Sequence, residues 1–113
     1  MRYLMLVAVD PDHTAEDEAR APSIEGWVDQ VTASGAWVMG ERLRPTSDAT
    51  TVRVRGGKLL VTDGPYTESK EWIAGFDILD CADLDAAIEI AAQHPMAYTG
   101  RLELRPFWPF DEG

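Results

Sequence analysis

The chain has 113 residues and an acidic balance, 20 Asp and Glu against 10 Lys and Arg, for a net charge of -10. That length fits one domain spanning residues 1–113, and the negative field repels nucleic-acid phosphates and anionic membranes, which excludes both as partners. The single cysteine, Cys81, cannot close an internal disulfide, and no apolar run approaches the ~20 residues of a membrane span, so the expectation is a cytoplasmic, soluble domain.

From Arg2 to Val9 every position after the first is apolar, and the run stops at Asp10-Pro11. It is too short for a signal peptide and has no small-residue cleavage site, so it reads as a strand buried on both faces. An acidic, alanine-rich stretch follows, with no element assigned to it. In "APSIEGWVDQVTASG", Ile24, Trp27, Val28 and Val31 recur at helical spacing, with Pro22 near the start and Gly35 at the end. "AWVMGERLRP" returns as a strand. "TTVRVRGGKLLVT" is a β-hairpin about Gly56-Gly57, because glycine tolerates the positive φ that such turns require.

The stretch Trp72 to Leu79 is a further strand with apolar residues on both faces, interrupted by Gly75 and Asp77. "ADLDAAIEIAAQHP" is a second helix, with Asp83 as N-cap, an apolar stripe of Leu84, Ala87, Ile88 and Ala91, and Pro95 as its stop. In the last strand, from Arg101, Leu102 and Leu104 face one way while Arg101, Glu103 and Arg105 face the other. The aromatic C-terminus "PFWPFDEG" is expected to dock on the chain's own barrel, with contact to another chain as the alternative.

This order predicts an α+β fold: a ferredoxin-like split βαβ sheet with an inserted hairpin. Two helices cover one sheet face, yet the strands from Arg2 and Trp72 are apolar on both. The second face therefore needs a cover, and a second copy of the chain is the simplest one. The expectation is a homodimer packed sheet to sheet.

Between hairpin and strand lies "TDGPYTESKEWIAGFDI". Asp63-Gly64-Pro65 has the chemistry of a turn. The following Glu68, Lys70 and Glu71, set between Tyr66 and Trp72, carry more charge than a turn needs. "ATTVRVRGGKLLVTDGPYTESKE", Gly75-Phe76 and the closing "LELRPF" together resemble the DGPF subfamily of the YCII-related proteins, with Tyr66 in place of the signature Phe. The likeness runs from "RYLMLV" to "ELRPF". It implies a dimeric α+β barrel. The wider family is presumed enzymatic, with a His and an Asp near the first helix and second strand. Where that histidine would stand, just after Pro22, this chain has Ser23 and Ile24. DGPF-type proteins also occur beside extracytoplasmic-function sigma factors, which suggests a sigma factor as partner.

His13 lies in an acidic loop, and His94 ends the second helix, where the helix dipole would raise its pKa. Neither has metal-ligand spacing to another His or Cys, so no metal and no cofactor is expected. Cys81 reads as a buried, inert thiol. Arg42, Arg44, Arg53, Arg55, Arg101 and Arg105 fall on strands or strand ends and either pair with neighbouring acids or clamp a carboxylate.

The main functional expectation is a dimeric protein binding a small polar or anionic molecule. Asp63, Glu68, Lys70 and Glu71 would rim its cleft, and Tyr66 and Trp72 would form the apolar wall. The alternatives are a lyase- or isomerase-type acid–base enzyme using Asp63 or Glu68, and an accessory regulator.

Overall fold

An apolar strand without a polar side needs neighbours all round, and Arg2–Val9 has them. In the computed structural model it is β1, an inner strand of a four-stranded antiparallel sheet. The structure describes residues 1–65 and 73–112. After β1 come α1 (Ala15–Arg20), α2 (Ile24–Ala33), β2 (Trp37–Arg42), β3 (Thr50–Arg55), β4 (Lys58–Asp63), β5 (Ile73–Asp80), α3 (Leu84–Ala92), α4 (Met96–Thr99) and β6 (Gly100–Pro106). The large sheet has the order β2-β5-β1-β6, and β3 and β4 pair apart from it as a hairpin. This mixed α+β architecture, with antiparallel sheets, is compatible with a ferredoxin-like fold.

Register separates the faces of the large sheet. Tyr3, Met5 and Val7 alternate on one side, opposite Leu79, Asp77 and Gly75 of β5 and Pro106, Leu104 and Leu102 of β6. Here the core forms: Met5 and Leu79 are fully buried, and Trp27, Val31 and Ala91 of the helices close over them. Leu4, Leu6, Ile78 and Phe76 occupy the other side and are half-buried. The Cα radius of gyration is 16.4 Å and the shortest extent 19 Å, against about 13 Å for the radius of a compact 100-residue chain. A flat sheet with helices on one side accounts for the excess.

Local chemistry sets the helix ends. Ser23 caps α2 by accepting the Gly26 N–H at 3.1 Å, so the residue standing where the resemblance places a histidine has a structural task. Asp83 caps α3, accepting from the Ala86 N–H at 2.9 Å. Gly56 and Gly57 both take positive φ, 57° and 76°, in the turn between β3 and β4.

Several expectations are corrected. The acidic stretch before Pro22 forms α1, held by a capping box between Thr14 and Asp17. It buries no residue, so no apolar periodicity announces it. The stripe on α3 is narrower than its sequence suggests: Ala87 and Ala91 are buried while Leu84 and Ile88 are each 49% exposed, because small residues face the sheet. Pro95 ends one helix and also caps α4. At the C-terminus Phe107 is tied to β1 through its N–H to Arg2 O, while Trp108 and Phe110 are exposed on the single chain. The hairpin likewise presents an exposed apolar face, Val52 and Val54 opposite Val61 and Leu59.

Candidate functional site

Gly40 and Gly75 lie on the helix-covered face, opposite Asp77 and Val7. Neither has room for a Cβ, since the Asp77 carboxylate lies over Gly40 and the Glu41 carbonyl against Gly75, and a cleft of about 550 Å³ lies beside them under the helices. Its side-chain lining is Val7, Ile24, Trp27 and Met96 on the apolar side and Arg42, Asp77 and His94 on the polar side, while Phe76 and Glu41, whose register turns them to the open face, border it from β5 and β2. Few polar groups set in an apolar hollow is the usual make-up of a small-molecule site. A smaller hollow of about 180 Å³ between α2 and α3 has one ionisable lining group, Glu89.

His94 is only 5% exposed. It sits in the link between α3 and α4, where its backbone N–H donates to Ala91 O and its C=O accepts from Ala97 N–H. Its ring meets Trp27 edge-on, with centroids 4.7 Å apart. The Trp27 indole N–H donates to Ile90 O at 2.9 Å, so both rings are held. The Met96 backbone N–H donates to His94 Nδ1 at 2.9 Å. Burial holds His94 below the usual histidine range, and the Asp77 carboxylate only partly opposes this. The expected dipole effect at the helix end is thereby corrected: desolvation outweighs it.

Asp77 is half-buried on β5. The Trp37 indole N–H donates to its Oδ1 at 2.9 Å. Burial raises its pKa, while that hydrogen bond and His94 pull it down. Gly40 makes this geometry possible. A Cβ there would overlap Asp77 Oδ1 and lie 2.7 Å from Phe76 O. Arg42 stands two residues along β2 and makes no ion pair with any described residue.

The residues singled out in the sequence fall elsewhere. Asp63 is exposed at the end of β4, paired with Thr50, and does not line the cleft. Gly64 takes φ 94° and its N–H donates to Ala49 O, as the turn chemistry requires. Tyr66, Glu68, Lys70, Glu71 and Trp72 lie outside the described residues. Pro65 and Ile73, which flank that segment, line a separate hollow of about 410 Å³ with Leu43, Arg44 and Pro45.

His13 is bound to Asp10 O and Glu18 Oε1, and these two hydrogen bonds, in that order, raise its pKa. Cys81 is half-buried, with its pKa raised first by burial. Arg44, Arg101 and Arg105 pair with Asp48, Asp10 and Glu103, as the surface-bridge reading has it. Sequence reading passed over the Asp77–His94 pair because each had an ordinary role at hand, a strand interruption and a helix end. The available signal was a lone acid inside an apolar strand beside a glycine.

A family model described as the YCII-related domain matches residues 1–111. An uncharacterised protein of Rhizobium meliloti (strain 1021) is 42% identical over 74 residues, which cover 64% of this chain and 60% of that relative. The match thus spans less than two thirds of the relative's length. Among the described residues no helix is long and apolar enough to cross a membrane.

Proposed function

The chain belongs to the YCII-related domain family, and from that premise we propose that it is a homodimeric small-molecule-binding protein whose ligand occupies the cleft between α2, β2, β5 and the α3–α4 link. The observation that carries this reading is the cleft itself, about 550 Å³, apolar-walled, with Arg42, Asp77 and His94 on its lining. Arg42 favours a ligand bearing a carboxylate, which a guanidinium can hold through two parallel hydrogen bonds.

The dimer half of the proposal rests on the open face of the sheet. Across the strands the rows run Arg105, Leu4, Ile78, Met39 and Glu103, Leu6, Phe76, Glu41. An apolar centre edged by charges has the anatomy of a protein interface. A second copy covering it face to face would complete a dimeric α+β barrel, and the apolar hairpin face would add to the covered surface. The DGPY–TESKE segment, residues 63–71, is proposed as an outer contributor to ligand contact.

Native mass spectrometry of the freshly purified chain tests both halves. The expected species is a dimer of 12.5 kDa chains carrying a discrete extra mass that a cleft-filling Gly40→Leu variant does not retain. A monomer would overturn the dimer. An extra mass kept in full by the variant would move the ligand out of the cleft.

A further inference from the structure

Binding alone leaves the ionisable pair in the cleft unexplained. A cleft holding two ionisable groups whose pKa values burial has shifted has the make-up of a catalytic site. Resting on the cleft as the binding site, we infer that it catalyses proton transfer at a carbon acid, with Asp77 as base and neutral His94 as hydrogen-bond donor to the adjoining carbonyl oxygen. The substrate class is a small carbonyl compound that also carries a carboxylate, held by Arg42.

The roles follow from hydrogen bonding. A backbone N–H can only donate, so the 2.9 Å bond from Met96 N–H makes His94 Nδ1 an acceptor and places the ring proton on Nε2. Protonating Nδ1 would set donor against donor. His94 is therefore kept neutral by geometry as well as by burial, and a neutral imidazole offers its Nε2–H to an oxygen. Asp77 is the complementary partner. Its Oδ1 is engaged by Trp37, Oδ2 has no partner among the described residues, and the bare backbone of Gly40 gives the carboxylate room over β2. Partial burial makes it a stronger base than an ordinary surface carboxylate. The remaining charged residues at the cleft are Arg42, on the covered face, and Glu41, which borders it from β2 with its register on the open face.

In the step, Asp77 Oδ2 takes the proton from the carbon next to the carbonyl. The C–H electron pair forms the new C=C bond, and the carbonyl π pair moves onto oxygen as an enolate, which the His94 Nε2–H stabilises. Protonated Asp77 then returns the proton to the same carbon or to its conjugate neighbour. The net result is exchange or isomerisation with no outside reactant.

The test is deuterium exchange in D2O followed by NMR, using the full chain with pyruvate, 2-oxobutyrate and levulinate as probes. Exchange is expected at about tenfold or more above buffer, falling on acidification as Asp77 protonates. Asp77→Asn, which keeps the Trp37 hydrogen bond, should fall to the buffer rate, a loss of the whole enhancement. His94→Asn, which keeps an acceptor for Met96 N–H, should lose a substantial part. Exchange no faster than buffer for every probe, or undiminished in Asp77→Asn, overturns the inference. Saturation-transfer spectra of the same probes separate the failures: binding without exchange sinks catalysis and leaves the binding reading, while neither sinks both.

Discussion

The two faces of the four-stranded sheet are made from the same central strands and have opposite fates. On the covered face Tyr3, Met5 and Val7 are buried under α2 and α3, while on the open face Leu4 and Leu6 stay half-buried. Charge divides the other way round. The open face wears Arg101, Glu103 and Arg105 at its edge, where Arg105 pairs with Glu103, Arg101 with Asp10, and solvent reaches them all. The covered face admits Asp77 and His94 where burial shifts both pKa values. Charges at a rim cost little and say little about function, whereas a polar group kept under a helix layer points to a use.

The comparison breaks most sharply at Trp27. Trp27→Ala should cost about 3–5 kcal/mol in urea denaturation, because it removes a large core ring, its bond to Ile90 O and the wall against His94. On the open face the matching change is Leu6→Asp. It should leave the chain folded and weaken dimerisation by about 100-fold, roughly 3 kcal/mol, in sedimentation equilibrium. A dimer as tight as wild type would move the interface elsewhere.

Gly40→Ala should cost about 1–3 kcal/mol, since its Cβ meets the Asp77 carboxylate and the Phe76 carbonyl. An unchanged melting temperature would show that Asp77 can move aside freely. The smaller effects are in pH. His94 has a lowered pKa in the fold, so its contribution is full above its ordinary value of 6.5 and is lost as pH falls below it. Half-buried His13, with a raised pKa, works in the opposite sense: its contribution is present below 6.5 and lost as pH rises through its raised value. Between pH 7 and pH 5 the melting temperature of wild type should therefore fall more, or rise less, than that of His94→Asn, since only the variant lacks the His94 contribution while both keep the opposing ones of His13 and Asp77. The same pH dependence in the variant would place its source outside His94. The smallest change is expected at Glu68→Gln, a ~2–5-fold weaker retention of ligand in native mass spectra with folding intact. Unaltered retention would remove Glu68 from the site.

Much of the architecture was legible because it follows from period and punctuation. A strand apolar at every position had to be central, the Gly56-Gly57 pair had to turn, and Asp83 had to cap. Helix α1 was not legible, since a helix that buries nothing leaves no apolar period. The site was legible only as an anomaly. Asp77 showed as a break in an apolar run, and His94 as a residue near a helix end, with 16 intervening positions and no motif to join them.

What the sequence determined by itself was the class of fold, the two-sided apolar sheet and the family likeness, all of which rest on local periodicity and on residues adjacent in the chain. Tertiary structure alone decided which sheet face the helices cover. It also decided that small alanines and not the larger apolar residues of α3 face the sheet, and that Asp77, His94 and Arg42 share one cleft. Those outcomes depend on distances between segments far apart in sequence and on desolvation, which belongs to a place in the fold and not to a residue type.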